Sequence, residues 1–256
     1  MNETADASAN LIGSLAGAIF GAAIGGSEGA IIGAIAAPAV EETGRHILAS
    51  VLSFRERKRI DTALNSAGQQ VRSLYAEGYK LRADDFWQAR GGFPPPAQEV
   101  LEAVLLAAKR DPEERKATYM GRMFAHIAFD DGISPSAAHW AVTTAEALSW
   151  SQFQLLAVVA RAEQLDVNGI VVGKSGENWD SYALHCDLRE LGIDNRHLIF
   201  GGEEKTWNKI SLPSSALQTF HFGSGGTLLH GLLGLEGIPI DDLVDVVTRL
   251  RAPISG

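Results

Sequence analysis

Six glycines recur at intervals of four residues in the segment GSLAGAIFGAAIGGSEGAIIG, which covers positions 13–33. A four-residue interval keeps residues on one face only in an α-helix, yet glycine is among the poorest helix formers. Each interior glycine costs roughly 0.5–1 kcal/mol relative to alanine. The pattern is therefore typical of a helix whose small-residue face is covered closely by a second helix. The six positions are Gly13, Gly17, Gly21, Gly25, Gly29 and Gly33.

The longer stretch 11–40 contains a single ionisable side chain, Glu28. On a helical wheel the glycines span an arc of about 200°, with Glu28 inside that arc and Ile12 and Ile19 opposite. A helix over 11–33 would be about 35 Å long, enough to cross a hydrocarbon core of about 30 Å. A charge inside a bilayer is costly unless it faces protein or water. We therefore expect Glu28 to face a helix–helix seam or a pore.

These residues resemble the glycine-zipper segments of pore-forming and membrane-associated proteins, and GAIFGAAIGG is similar to the Gly/Ala-rich peptides of viral fusion proteins. The resemblance implies membrane insertion and self-association through the glycine face. Two other structures remain open. A break at Gly25-Gly26-Ser27 would leave two arms too short to span a bilayer, and the glycines could pack in a soluble core or oligomer interface instead.

Charge and cysteine content indicate where the chain acts. The net charge of −9 disfavours a broad electrostatic grip on nucleic acid, and the single cysteine, Cys186, suits a reducing compartment. The first ten residues carry acids but no Lys or Arg, so a secretory signal peptide is not expected. Basic residues follow the apolar stretch, so its carboxyl side should stay cytoplasmic. The sequence predicts a protein of the cytoplasm and inner membrane.

A basic cluster lies shortly after the apolar stretch and consists of Arg55, Arg57, Lys58 and Arg59. Cations in this position can contact the head groups of anionic lipids. The same residues could equally form a solvated helix face. The prediction is that all four residues contact lipid head groups.

Helical spacing of apolar residues, with proline and capping signals, predicts a mainly α fold. The segment GGFPPPA at 91–97 combines flexible glycines with stiff prolines and reads as a joint. The predicted parts are a disordered tail over 1–10, a glycine-zipper membrane segment over 11–40, a long linking helix over 41–90, a helical domain over 97–148 and an α+β domain over 149–256.

The order of elements in 149–256 is helix, short strand (GIVV), helix, and a strand pair (HLIF and QTFHF), followed by two helices. This order resembles a winged-helix domain, although only one clear helix separates the first strand from the pair. The helix in the DNA-reading position, 181–192, carries Arg189 beside Asp187 and Glu190. Base and phosphate contacts need cationic and amide side chains. We therefore expect a protein partner here rather than DNA.

The sequence contains no complete catalytic or cofactor motif. VVGKSGE ends like a phosphate loop, but the glycine that the motif needs at position 168 is Asn168. The histidines show no metal-ligand spacing and no thiolate partner apart from the neighbouring pair His185–Cys186. The sequence predicts no catalytic residue, no cofactor and no metal site. The chain is not expected to be an enzyme.

Together these features predict a bacterial effector of toxic or anti-phage type that inserts into a membrane, oligomerises through its glycines and forms a pore or disrupts the bilayer. Its partners would be membrane lipid, further copies of the chain and a regulatory protein. The alternative is a soluble homo-oligomeric scaffold that uses the winged-helix-like region to bind a protein.

Overall fold

A computed structural model describes residues 52–172, 178–194, 197–201 and 216–251. These residues form eight α-helices and one two-stranded sheet, so the prediction of a mainly helical fold is confirmed. The glycine-zipper segment and the tail before it lie outside the described residues. The chain divides into two compact units, Met1–Ala147 and Leu148–Gly256, called unit 1 and unit 2 below.

The described part of unit 1 contains four α-helices and one short 3-10 turn. They are α1 (Phe54–Ala76), the turn Asp85–Trp87, α2 (Pro96–Arg110), α3 (Lys116–Phe129) and α4 (Pro135–Ala147). A capping box begins α1, because Glu56 N–H donates to Ser53 Oγ at 3.3 Å and Ser53 N–H donates to Glu56 Oε2 at 2.7 Å. Proline at the first position begins α2 in the same preorganised way.

The core of unit 1 forms where α1 packs against α3. Gly121 lies so close to α1 that a Cβ added there would be 2.1 Å from the carbonyl oxygen of Ala63. Ala63 and Ala67 on α1, and Ala117 and Ala125 on α3, are almost fully buried. Small residues four apart on both helices thus let the two backbones approach each other.

The predicted linking helix over 41–90 differs from the structure within the described residues. The helix begins at Phe54, ends at Ala76, and buries its apolar face within unit 1. The chain then turns, and Arg82 ties the following segment to the end of α3 by donating to the Ile127 carbonyl at 3.2 Å. Gly78 ends the helix, because its φ of +89° lets Tyr79 N–H donate to the Leu74 carbonyl at 3.0 Å.

The segment GGFPPPA lies inside unit 1 and not at a boundary between units. Gly91 and Gly92 have φ values of +58° and +83°, and Phe93 N–H donates to the Arg90 carbonyl at 2.9 Å. Two successive positive φ values define a tight hairpin turn that only glycine adopts without strain. The two glycines therefore build a fixed turn before α2, whereas the sequence indicated a flexible joint.

Unit 2 contains the remaining four helices and the sheet. Its elements are α5 (Trp150–Ala160), α6 (Trp179–Arg189) with a π-helical turn (Glu190–Asp194), β1 (Ile199–Phe200), a 3-10 turn (Leu217–Thr219), β2 (His221–Phe222), α7 (Ser224–Leu233), a 3-10 turn (Leu235–Gly237) and α8 (Ile240–Arg251). The residues of α5 from Gln152 to Val159 are all buried, on every side of the helix. This helix therefore lies at the centre of the unit.

The sheet is smaller than the sequence indicated. Strands β1 and β2 pair antiparallel, with Ile199 opposite Phe222 and Phe200 opposite His221. The predicted strand GIVV contributes only an isolated bridge between Val171 and Ala216. Ile170 and Val172 are buried. Burial alone therefore accounts for the apolar run that suggested a strand.

Candidate functional site

The stripe that the sequence marks as a membrane and oligomerisation site lies outside the described residues. It consists of Gly13, Gly17, Gly21, Gly25, Gly29, Gly33 and Glu28. The structure does describe the first turn of α1, where the basic cluster predicted to contact lipid heads lies.

Three of the four basic residues in that turn are exposed, namely Arg55, Arg57 and Lys58. Lys58 forms an ion pair with Glu114, with 2.9 Å between Nζ and Oε2. Phe54, the first residue of the helix, has 84% of its surface exposed. Sequence reasoning missed Phe54, although a large apolar side chain immediately before charged residues at a helix start is a visible signal. The turn therefore presents an aromatic ring beside cations.

Arg59 requires a correction to the predicted lipid contact. Its side chain is buried, and its guanidinium donates to the carbonyl oxygens of Ala108 at 3.1 Å and Lys109 at 2.6 Å. These are carbonyls at the end of α2, which have no partner within their own helix. Position 59 lies one turn beyond Arg55 on the face that packs against α2. Arg59 thus stabilises the end of α2 and is not placed to meet a lipid.

Carboxylates offset part of the positive charge of this turn. Hydrogen bonds from Ser53 lower the pKa of Glu56, and the hydrogen bond from Lys58 lowers the pKa of Glu114. Both acids therefore stay ionised well below neutral pH. Arg55 and Arg57 are the exposed cations of the cluster for which no ion pair with these acids is seen within the described residues.

A second buried cation lies close to the same end of α2, where Asp111 follows the last residue of the helix. The ammonium of Lys116 pairs with the carboxylate of Asp111, and both side chains are more than nine-tenths buried. Lys116 also donates to the Glu146 carbonyl at 3.1 Å, close to the end of α4. Asp111 accepts a bond from Glu113 N–H at 2.9 Å. The arrangement joins α4 to the loop before α3 and is structural.

In unit 2, polar side chains join the start of α5 to the end of α6. Ser149 Oγ and Ser151 Oγ are 2.8 Å apart, and Ser151 also donates to the carboxylate of Asp187. Gln152 donates to Glu190 at 3.0 Å. Two of the acids that flank Arg189 thus point toward α5. The hydroxyls are used in helix packing and are not arranged as a nucleophile with a base.

The face of α6 opposite its buried residues carries exposed aromatic residues. Trp179 and Tyr182 are 79% and 45% exposed, and their rings meet edge to face with centroids 5.7 Å apart. Cys186 is exposed one turn further on. A hydrogen bond with Cys186 raises the pKa of Tyr182. Surface of this kind is typical of contacts with protein, since aromatic residues are enriched at interfaces.

No described helix combines the length and apolar character that crossing a membrane requires. No three His, Cys, Asp or Glu side chains in the described ranges converge as a metal site would require. No protein-family model, curated protein or solved structure matches the chain.

Proposed function

We propose that this chain is a membrane-inserting effector that oligomerises through its glycine stripe and forms a pore or disrupts the bilayer. The observation that carries the proposal is the four-residue glycine period over 13–33, with the only charge of the stretch on the same face. In a helix this period makes a flat groove for a neighbouring helix. Glu28 would then face other copies of the chain or water instead of lipid.

A ring of Glu28 carboxylates, one from each copy, would give such a pore a preference for cations, because rings of acidic side chains are a recurring means of cation selection. Ile12 and Ile19 on the opposite face would meet lipid. The biological setting that fits is a toxic or anti-phage effector at the bacterial inner membrane.

The first turn of α1 supports a membrane-proximal position for this end of unit 1. Phe54 presents an exposed ring, and Arg55 and Arg57 present exposed cations beside it. Aromatic and basic side chains are enriched where a protein meets the polar surface of a bilayer. Basic residues after an apolar segment also favour a cytoplasmic location for the part of the chain that follows.

Leakage of dye and cations from anionic liposomes tests the proposal. Full-length protein should release the contents, and a shortened chain that begins at Glu41 should not. If both proteins release the contents equally, residues 1–40 are not the membrane-active part. If neither does, while the full chain remains a defined soluble oligomer, the proposal is wrong.

A soluble homo-oligomeric scaffold is the second candidate, and two observations favour it. The close contact of Gly121 with Ala63 demonstrates that this chain uses glycine for helix packing within protein. The exposed face of α6, with Trp179 and Tyr182, is suited to binding a protein partner. The segment 181–192, which would read DNA in a winged-helix arrangement, carries Arg189 between Asp187 and Glu190, so nucleic acid is not the expected partner.

Cell fractionation separates the two candidates. The effector should sediment with membranes and resist extraction by high salt, since apolar insertion is insensitive to ionic screening. The scaffold should remain in the supernatant as an oligomer of fixed mass.

A further inference from the structure

Two histidines with a buried ring nitrogen lie near α8 in unit 2, one beside its last turn and one near the chain that leads into it. His185 on α6 is 3% exposed and hydrogen bonds to the backbone of Leu250, in the last turn of α8. His230 on α7 is largely buried and lies near Arg161 and Glu236. Arg161 in turn donates to the Ile238 carbonyl at 2.6 Å, two residues before α8 begins.

The geometry of His185 favours a neutral ring. Its Nδ1 is buried and has no hydrogen-bond partner among the described residues, so the bond to the Leu250 carbonyl is made by the Nε2–H group. Protonation would add a charged N–H at Nδ1, where the described part of the chain offers no acceptor. Burial accordingly lowers the pKa of His185. The charged residues on the packed elements are Asp180, Asp187 and Arg189 on α6, Glu190 and Asp194 in the π-helical turn, and Asp241, Asp242, Asp245, Arg249 and Arg251 on α8.

His230 is also disfavoured in its charged form. Its Nε2 is buried without a hydrogen-bond partner in the described ranges, and its ring packs on Phe222 with centroids 5.3 Å apart. Burial lowers the pKa of His230, Glu236 opposes the effect, and the positive charge of Arg161 adds to it. His221 on β2 is exposed and completes the titratable groups on the elements packed against α7. A charged His230 would repel the cation that holds the chain at Ile238.

We propose that α8 is an acid-sensitive element, whose packing against α5 and α6 is stabilised by the neutral forms of His185 and His230. In the opened chain both rings would bind protons with a pKa near 6.5. Acidification therefore favours the open form, and the stability that the neutral rings supply is complete above pH 6.5 and is lost as the pH falls below it. This inference does not depend on the membrane activity proposed above.

Opening would expose the apolar face of α8 and the part of the core beneath it. The buried residues of that face are Leu243, Val246, Val247 and Leu250. The ion pair between Arg251 and Asp166 also ties the end of α8, with 2.7 Å between Nη2 and Oδ2. Because Arg251 lowers the pKa of Asp166, this pair persists at pH 5. Between pH 7.5 and pH 5 the ties that weaken are those of the histidines.

Hydrogen exchange on the full chain, corrected for the pH dependence of intrinsic rates, tests the inference. At pH 5.0 the opening constant of amides in α8 should be at least about tenfold higher than at pH 7.5, because one unit of pKa difference is a tenfold effect. Amides of α3 should not show this increase. The double variant His185→Gln/His230→Gln should lose the pH dependence, and His221→Gln should keep it. Equal pH dependence in all these proteins overturns the inference.

A measurement on the unmodified protein covers the case in which the double variant does not fold. Exchange of the histidine C2 hydrogens, read by mass spectrometry at a series of pH values, gives the pKa of each ring. Values below 6.5 for His185 and His230, with His221 as the exposed reference, support the inference. A value at or above 6.5 for either buried ring overturns it.

Discussion

At Gly121 the backbone of α3 lies against the backbone of α1, and a methyl group has no room between them. Replacing Gly121 with Ala would place Cβ 2.1 Å from the Ala63 carbonyl oxygen, so the two helices must separate. We expect Gly121→Ala to lower the free energy of unfolding by about 1–3 kcal/mol, as overpacking does. Urea denaturation followed by circular dichroism measures this change.

Gly231 on α7 is the matched control for that substitution. It also lies in a helix, but a Cβ there would have no atom within 4 Å. Gly231→Ala should raise the free energy of unfolding by about 0.4–1 kcal/mol, because alanine restricts the unfolded chain and favours the helix. If Gly121→Ala is as stabilising as Gly231→Ala, the close approach of α1 and α3 is not real.

Arg59 and Arg57 are two residues apart, but their surroundings predict different effects. Arg59→Gln removes two buried hydrogen bonds to the end of α2 and should lower the free energy of unfolding by about 1–3 kcal/mol. Arg57→Gln changes an exposed side chain and should stay within about 0.5 kcal/mol of the parent. Thermal denaturation of both variants checks this. Equal effects would mean that Arg59 does not stabilise α2.

At the scale of the helices, the buried pair Lys116–Asp111 joins α4 to the loop before α3. Lys116→Met should lower the free energy of unfolding by about 3–5 kcal/mol, because Asp111 remains buried without its cation. Adding Asp111→Asn removes the stranded charge and keeps an acceptor for Glu113 N–H. The double variant should therefore recover part of the loss in urea denaturation. A double variant less stable than Lys116→Met would contradict this account.

Local signals in the sequence predict several helices well. Proline at the start of α2, the capping serine before Pro135 and the spacing in IDDLVDVVTRL each lie where a helix is found. The end of α1 has a local signal that the prediction of a longer helix did not use. Gly78 has a φ of +89°, and Tyr79 N–H donates to the Leu74 carbonyl at 3.0 Å, as at a helix end closed by glycine. By contrast, the burial of Arg59 depends on α2, which is about fifty residues away in sequence.

The same distinction between local and distant contacts applies to the candidate sites. The basic cluster is visible in the sequence, but its division into exposed Arg55 and Arg57 and buried Arg59 is not. The unpartnered ring nitrogens of His185 and His230 depend on how α6, α7 and α8 pack, so the sequence alone treats both as ordinary structural histidines. The glycine stripe has its evidence in the sequence and stays a prediction.

At the scale of the whole molecule, the proposed function depends on which face of the segment 11–40 meets other copies of the chain. Added bulk on the glycine face should prevent the helices from approaching, whereas the same bulk on the opposite face would meet lipid. Gly21→Ile/Gly25→Ile and Ala16→Ile/Ala23→Ile each add two large side chains to the same segment. Gly21 and Gly25 lie on the glycine face, whereas on the helical wheel Ala16 and Ala23 lie on the opposite face with Ile12 and Ile19.

The most direct measurement is therefore dye release from anionic liposomes by the parent and these two double variants. Circular dichroism should first establish that the parent and both double variants are equally folded. We predict that Gly21→Ile/Gly25→Ile abolishes release and that Ala16→Ile/Ala23→Ile retains it. Equal release by both variants would contradict the central claim that the glycine face assembles the membrane-active form.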